Sequence, residues 1–274
     1  MPKRIAILAD THVGLVGPQP SGRTYGDLAP VLERAVDQIV EDAPDQAFLV
    51  GDIVNRGFGD EYIRAKRILS PLQRIFEPVL GNHELQRASV ADFESQWGVR
   101  AVRITRFSDF PAIVLNSGIE NLPDDQWHGV LDDMQLRLLE EVLILHRDVP
   151  VFIFCHHPIT GTVMGSARPM NALTNSQEFQ RLLERRRGPV VLISGHTHDG
   201  DLIRDRHITY IGCPPLGFWP HAYLTAAVGT SSLEVRATRM LDSPDDSPDA
   251  HVADVEYRDR GAGIGDQVVT IPLA

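Results

Sequence analysis

The chain has 274 residues, and its 43% hydrophobic content is enough for a large core and excludes disorder of the whole chain. Its 26 basic and 37 acidic side chains give a formal net charge of −11, so we expect no nucleic-acid partner, because phosphate backbones are bound by basic surfaces. No run reaches the roughly 20 apolar residues of a membrane helix, so we expect no membrane partner. The cysteines, Cys155 and Cys213, are too few for a disulfide framework, which favours a cytoplasmic location.

Short apolar runs alternate with amphipathic helical patterns as far as about residue 200. The runs are mostly aliphatic or β-branched, which predicts buried strands. These predicted strands are Ile5–Ala9, Ala47–Val50, Val79–Leu80, Ile113–Leu115, Val151–Cys155 and Val190–Ile193. Helical periodicity predicts α-helices over Asp27–Ala43, Asp132–His146 and Asn175–Arg187. The alternation predicts a layered α/β fold.

Capping residues flank two of the predicted helices. Asp27 is expected to cap the start of the first helix, and Pro44 follows its end. Asn175 and Glu178 have the spacing of a capping box at the start of the third helix.

The C-terminal part of the chain has a different pattern. Three predicted strands, Ile208–Ile211, Tyr223–Val228 and Leu233–Thr238, are separated by glycine and proline. An acidic Pro/Ser segment at residues 242–250 predicts an exposed loop, and two strands, Val252–Tyr257 and Gln267–Ile271, are predicted within residues 251–274. We interpret residues 1–274 as one domain whose motif-bearing core is 1–240. The sequence leaves oligomerisation open.

Polar residues of a few types follow five of the predicted strands. Because the sites of open α/β sheets lie beyond the carboxyl ends of strands, we expect these residues to meet at one rim. They are Asp10 and His12; Asp52; Asn82, His83 and Glu84; His156 and His157; and His196 and His198.

The spacing of these residues fits metal binding. Residues two apart in extended backbone point to the same side, so Asp10 with His12, and His196 with His198, can each reach one metal centre. Glycines at 51, 81 and 195 adjoin the polar residues, where a sharp turn or close backbone approach needs the absence of Cβ.

The candidate ligands form a mixed nitrogen and oxygen set. Imidazoles and carboxylates with one amide suit Zn, Mn or Fe better than Ca or Mg, and a set without cysteine does not resemble a structural zinc site. Seven ligands are too many for one tetrahedral ion and suit two ions that share a carboxylate, the arrangement that clamps the oxygens in phosphoryl hydrolysis. The seven are Asp10, His12, Asp52, Asn82, His156, His196 and His198.

Together, the segments Asp-x-His, Gly-Asp, Gly-Asn-His-Glu, His-His-Pro and Gly-His-Thr-His resemble the motifs of the calcineurin-like metallophosphoesterases. The resemblance runs from Asp10 to His198. It implies a four-layer αββα sandwich and hydrolysis of a phosphate ester by a hydroxide that bridges two metal ions.

The resemblance also implies a role for each residue. It places Asp10, His12, Asp52 and His198 on one metal, and Asp52, Asn82, His156 and His196 on the other, with Asp52 bridging. It favours His156 over His157 as the ligand. It makes His83 the catalytic histidine, which binds a phosphoryl oxygen or protonates the leaving group.

One segment departs from the pattern of the related Ser/Thr phosphatases. Gly51-Asp-Ile-Val-Asn-Arg-Gly57 has Asn55 where many relatives have an aspartate that orients the catalytic histidine. We expect a neutral amide to hold the charged form of His83 less strongly. Arg56 is either a bidentate phosphate clamp or a solvated loop arginine.

The His-His-Pro region and the long loop after it resemble the small phosphodiesterase branch. The loop over residues 159–174 is expected to border the site, with Arg168, Met170, Asn171, Asn82 and His83 as candidate substrate contacts. We therefore predict hydrolysis of a small phosphodiester. The alternatives are a phosphomonoesterase or protein phosphatase that uses Arg56, a nuclease, and a metal-free binding scaffold.

Overall fold

The computed structural model of the protein describes residues 2–18, 24–243, 246–248 and 268–273. In chain order its strands are β1 (Lys3–Leu8), β2 (Gly17–Pro18), β3 (Thr24–Tyr25), β4 (Gln46–Val50), β5 (Phe76–Val79), β6 (Arg103–Phe107), β7 (Phe110–Leu115), β8 (Val151–Cys155), β9 (Val190–Ser194), β10 (Asp201–Asp205), β11 (Ile208–Gly212), β12 (Ala222–Val228), β13 (Ser232–Arg239) and β14 (Val269–Pro272). The helices are α1 (Ala29–Asp42), α2 (Gly59–Leu69), α3 (Val90–Trp97), α4 (Asp133–Leu145) and α5 (Ser176–Glu184), with short 3₁₀ turns at Ser70–Leu72 and His83–Leu85.

Two six-stranded sheets form the centre of the fold. The first sheet has the strand order β14-β13-β12-β1-β4-β5, and the second has the order β10-β11-β9-β8-β7-β6. In the first sheet β1, β4 and β5 are parallel, and in the second β7, β8, β9 and β11 are parallel. The parallel strands therefore deliver their carboxyl ends, and the residues that follow them, to a common edge of each sheet.

Three apolar clusters hold the layers together. One lies between the sheets, where Phe48 of β4 stacks on Phe154 of β8 with ring centroids 4.1 Å apart. A second packs α1, α2 and α3 against the outer face of the first sheet, and a third packs α4 and α5 against the second sheet. The predicted α/β class and four-layer αββα sandwich are confirmed.

Helix boundaries agree with the predicted ones within a few residues, but one predicted cap is wrong. The Asp27 carboxylate accepts from the N–H of Ala29 at 3.1 Å, and Asp132 caps α4 by accepting from the N–H of Gln135 at 2.8 Å. Asn175 makes no capping hydrogen bond to α5. Its side-chain amide instead bonds both backbone groups of Leu131 and so joins two loops.

Several elements have no clear signal in the sequence. The helices α2 and α3 are short and rich in charged or polar residues. The strands β6 and β10 lie at the two edges of the second sheet, where largely exposed residues need no apolar run. The predicted strand Val252–Tyr257 lies outside the described residues, whereas β14 corresponds to the predicted strand Gln267–Ile271 and pairs with β13. Among the described helices, none combines the length and apolar character needed to cross a bilayer.

Burial should make both cysteines unreactive in the folded protein. Each is free and fully buried, and burial raises the pKa of Cys155 to about 12 and that of Cys213 well above its usual value. Because the thiolate is the reactive form, Ellman's reagent near neutral pH should titrate neither thiol in the native protein and both in guanidinium chloride. Rapid reaction of either thiol in the native protein would contradict this burial.

Candidate metal centre

The polar residues that follow the strands meet at the rim where the two sheets adjoin. Asp10 and His12 follow β1, Asp52 follows β4, and Asn82 and His83 follow β5. From the second sheet, His156 follows β8, and His196 and His198 follow β9. Ligand atoms from neighbouring members of this group lie within 4.8 Å of one another. The structure thus brings together all seven predicted ligands, and their role in holding metal stays a prediction.

Five of these residues have a left-handed backbone, which is rare outside glycine. The φ angles are 54° at Asp10, 43° at His12, 51° at Asp52, 68° at His196 and 56° at His198. Each such residue costs about 1–3 kcal/mol and persists only where the surroundings impose the conformation, and residues of this kind concentrate at functional sites. The strand ends are therefore held in turns that aim the side chains at a common point.

Two glycines let the ligand loops approach closely. A Cβ at position 51 would overlap the ring of His156, and a Cβ at position 81 would overlap the carboxylate and backbone of Asp52. The predicted need for a missing Cβ beside the ligands is confirmed at both positions.

Asp52 lies at the centre of the cluster and is almost fully buried. Its Oδ2 is 3.2 Å from Nε2 of His156 and 3.7 Å from Nε2 of His12. Its Oδ1 accepts a hydrogen bond from the backbone N–H of His83 at 2.9 Å. This carboxylate therefore lies between the histidines assigned to the two metals, which is the position that a shared ligand needs.

One group of donors surrounds Asp10. Its Oδ1 lies 3.4 Å from Nε2 of His198, and both carboxylate oxygens accept from the backbone N–H of His196, at 3.0 and 3.2 Å. The Nε2 atoms of His12 and His198 are 3.3 Å apart. Asp10, His12 and His198 thus form one candidate metal cluster beside Asp52.

The second group of donors surrounds His156. The Nδ1 of His156 lies 2.9 Å from the carbonyl oxygen of Val50, so this nitrogen donates and Nε2 is the ring atom that faces the other donors. That Nε2 is 3.1 Å from Oδ1 of Asn82. The Nε2 of His196 lies 3.3 Å from the carbonyl oxygen of Met170, and this contact leaves Nδ1 of His196 as the atom able to bind a cation.

Burial and neighbouring charges shift the pKa values of several of these side chains. Burial, reinforced by neighbouring histidines, holds the pKa values of His12 and His196 well below their usual range, so both rings are neutral, the form that binds metal. Burial alone would raise the pKa of Asp52, but His156 and the other nearby histidines outweigh it and hold the value well below normal. Burial also lowers the pKa of His156, but the carboxylate of Asp52 reverses this to give a value of about 9, so a metal ion bound at Nε2 would displace a proton from this ring.

The donor set fits divalent or trivalent metal ions. Nitrogens of His12 and His198 face each other, and Nε2 of His156 faces two oxygens, an arrangement that a cation between them would satisfy. The Nδ1 of His12 is buried and has no hydrogen-bond partner among the described residues. Because the first group contains Asp10, His12, Asp52 and His198, and the second contains Asp52, Asn82, His156 and His196, the residues present can hold two ions with Asp52 in common.

Glu84 joins two loops of the candidate centre, a part that the sequence did not indicate. Its buried carboxylate accepts from the N–H groups of Asp52 at 3.2 Å, Ile53 at 2.6 Å, Val54 at 3.0 Å and Gly81 at 2.8 Å. It therefore ties the loop of Asp52 to the loop of Asn82. Burial and the nearby Asp52 raise the pKa of Glu84 to about 7. The available signal was its place in the Gly-Asn-His-Glu segment, which contains two site residues.

The orientation of His83 depends on backbone and not on the side chain of Asn55. The Nδ1 of His83 donates to the carbonyl oxygen of Asn55 at 2.6 Å. A backbone carbonyl makes this contact and is present whatever the side chain, and the expectation that a neutral amide at position 55 holds the charged form of His83 less strongly stays a prediction. This contact leaves Nε2 of His83 as the available ring nitrogen.

The candidate substrate contacts have different surroundings. Arg56 is partly buried, and among the described residues its guanidinium has no hydrogen bond or ion pair. Arg168 is half-exposed and pairs with the buried Asp199 at 3.4 Å. The amide of Asn171 is bonded to the indole N–H of Trp127 at 3.0 Å and to the carbonyl oxygen of Gly165 at 3.3 Å.

Two aromatic neighbours complete the site. His157 lies beside His196 with ring centroids 4.2 Å apart, but Ser117 and the carbonyl of Trp127 occupy its two ring nitrogens, at 2.7 and 2.9 Å. Burial lowers the pKa of His157 to about 3. Phe218 stacks on His198 with centroids 4.4 Å apart. Phe218 lies in the Gly- and Pro-rich segment after the last histidine motif, and only the fold shows which ring it contacts.

Comparisons with known proteins agree with this geometry. Residues 3–200 match the calcineurin-like phosphoesterase family. The chain is 24% identical over 195 residues to a probable glycerophosphodiester phosphodiesterase, GpdQ, of Arcobacter nitrofigilis, covering 70% of each chain. It is 26% identical over 155 residues to the 3′,5′-cyclic adenosine monophosphate phosphodiesterase CpdA of Haemophilus influenzae, covering 56% of this chain and 54% of that protein.

A solved structure shows the same fold. A dimetal phosphatase from Danio rerio superposes with a TM-score of 0.74 at 18% identity, and the match covers 100% of both chains. The family match spans most of the chain and includes every residue of the candidate centre. The protein belongs to the calcineurin-like phosphoesterase family and is a metal-dependent hydrolase of phosphate esters.

Proposed function

We propose that the protein hydrolyses a small phosphodiester with two metal ions, of Mn, Fe or Zn, bound at the candidate centre. The observation that carries the proposal is the position of the Asp52 carboxylate between the two groups of donors. Two ions, when bound, supply positive charge to the phosphoryl oxygens and activate water for attack on phosphorus.

The chain's own residues hold and orient the reacting groups. Asp52 fixes the backbone of His83 through its Oδ1, so the same carboxylate places the proposed ligands and the proposed catalytic histidine. Glu84 fixes the loop of Asp52 through the backbone. Small errors in these positions are costly, because catalysis depends on reacting atoms being aligned to within about 1 Å.

We propose that His83 donates a proton to the leaving group. Its Nδ1 already donates to Asn55, so Nε2 carries a proton only in the cationic ring. The protonated His83 ring can donate the Nε2 proton to the departing oxygen. The ring is then neutral, and its Nδ1–H is still bound to the carbonyl of Asn55. Histidine is suited to this transfer near neutral pH.

Preference for a diester is supported by the charges near the site and by the relatives. A monoester carries nearly two negative charges and a diester carries one, so a monoesterase benefits more from additional cations. Arg168 is partly neutralised by Asp199. The relatives GpdQ and CpdA are named as phosphodiesterases.

The buried free thiols are compatible with the proposed cytoplasmic location.

The second candidate is a phosphomonoesterase or protein phosphatase. The observation in its favour is the half-buried Arg56, whose guanidinium has no intramolecular partner within the described chain. A planar guanidinium can bind two phosphoryl oxygens at once.

Side-by-side kinetics separates the two candidates. With Mn²⁺ present, kcat/KM for bis(p-nitrophenyl) phosphate should exceed that for p-nitrophenyl phosphate by at least roughly tenfold, a difference of about 1.4 kcal/mol in transition-state binding. Arg56→Ala should change this ratio little. A strong preference for the monoester that is lost in Arg56→Ala would favour the second candidate.

Asp52→Asn tests the shared ligand. Replacing a carboxylate that serves both ions should lower the metal content by more than one ion per chain and reduce kcat beyond the roughly 10–100-fold loss typical of residues around the ligands. Metal analysis and steady-state kinetics make the measurement, with Asp109→Asn, in an exposed turn, as the matched control. Wild-type metal content in Asp52→Asn would rule out the bridging role.

His83→Ala tests proton donation. The variant should retain both metals and lose roughly 10²–10⁴-fold in kcat for diesters with alkyl leaving groups, which need a proton. For p-nitrophenolate esters the loss should be much smaller, because this leaving group departs unprotonated. Equal losses for both kinds of ester would show that His83 acts by stabilising charge.

A further inference from the structure

Trp127 presents an aromatic surface beside the candidate centre. It lies in the loop that leaves the carboxyl end of β7, and β7 runs parallel to β8, the strand that ends at His156. The side chain of Trp127 is 38% exposed, although tryptophan is an apolar residue that is largely buried in most proteins.

Two hydrogen bonds connect Trp127 to the centre. Its carbonyl oxygen accepts from Nε2 of His157 at 2.9 Å, and the ring of His157 packs against that of His196. Its indole N–H donates to Oδ1 of Asn171, the residue after Met170, whose carbonyl oxygen is 3.3 Å from Nε2 of His196. One anchor of Trp127 therefore reaches His196 through His157 alone, and the other reaches it through Asn171 and its neighbour Met170.

The same contacts fix the plane of the indole ring. The N–H bond to Asn171 restricts rotation of the side chain, and Asn171 is itself held by the carbonyl oxygen of Gly165. Backbone bonds join the loop of Trp127 to the neighbouring loop, from Gly129 to Ala172 and from Thr174 to Gly129. A ring that is already oriented loses little conformational entropy when a flat group stacks on it.

We infer that the indole of Trp127 is a stacking platform for a flat aromatic group of the substrate, and that the substrates are phosphodiesters of nucleosides. The inference rests on the proposed diesterase function and narrows its substrate class. Every nucleobase has a π-face, so any of them can stack on an aromatic side chain, whatever hydrogen-bond donors and acceptors the base has. In this account the Asn171 amide acts through Trp127 by holding the ring.

Kinetics with two diesters tests the platform. Wild-type protein and Trp127→Ala are compared on adenosine 3′,5′-cyclic monophosphate, which has a base, and on glycerophosphoethanolamine, which has none. Trp127→Ala should reduce kcat/KM for the nucleotide by roughly 5- to 100-fold, mainly through KM, and change that for the other ester by less than about twofold. Equal losses on both esters, or no loss on the nucleotide, would overturn the inference.

Two further variants separate stacking from loop positioning. Trp127→Phe retains an aromatic face without the N–H, so it should keep most of the preference for the nucleotide. Phe58→Ala, which removes another exposed aromatic ring, is the matched control and should leave the preference unchanged. If Trp127→Phe behaves like Trp127→Ala, the N–H anchor and not the ring face is what matters, and the inference is overturned.

A binding measurement keeps the test independent of turnover. Adenosine monophosphate should quench the tryptophan fluorescence of the wild-type protein, and the quench should be largely lost in Trp127→Phe. If the wild type hydrolyses neither diester but shows this quench, the proposed diesterase function fails while the platform stands. If it hydrolyses glycerophosphoethanolamine and adenosine monophosphate produces no quench, the platform fails while the diesterase function stands.

Discussion

The site depends on one buried carboxylate, that of Asp52, which lies between donors from both sheets. A charged group without water is strongly destabilising unless opposite charge and hydrogen bonds surround it. Here His156 and His12 approach one oxygen, and the backbone of His83 donates to the other. The requirement to satisfy this carboxylate links the ends of β1, β4, β5 and β8, and cations at the same place would satisfy it further.

The core between the sheets stabilises the strained strand ends. Five left-handed residues at the strand ends are individually unfavourable, and they persist because the strands on which they stand are fixed by extensive apolar packing. Glu84 contributes locally by accepting four backbone N–H groups that the tight turns leave without strand partners. The apolar core thus compensates for the backbone strain at the rim.

Loops around the rim differ in what they offer a substrate. The loop of Asn55 and Arg56 provides the carbonyl that contacts His83. The loops of Trp127 and Asn171 are bonded to each other and present an aromatic ring. In the proposed function, the phosphate chemistry therefore belongs to the strand ends, and recognition of the groups attached to phosphorus belongs to the loops of the second sheet.

The sequence by itself determined the α/β class and the buried strands, and it named the residues that the structure brings together at the rim, because apolar runs that end in Asp, Asn or His are local patterns. It did not reveal β6, β10, α2 or α3, whose exposed or polar residues carry no strong periodicity. Nor could it show that Asn55 acts through its carbonyl, that Asn175 bonds Leu131, or that Glu84 collects four N–H groups. Those contacts join residues from different loops, so only the packing of the two sheets decided them.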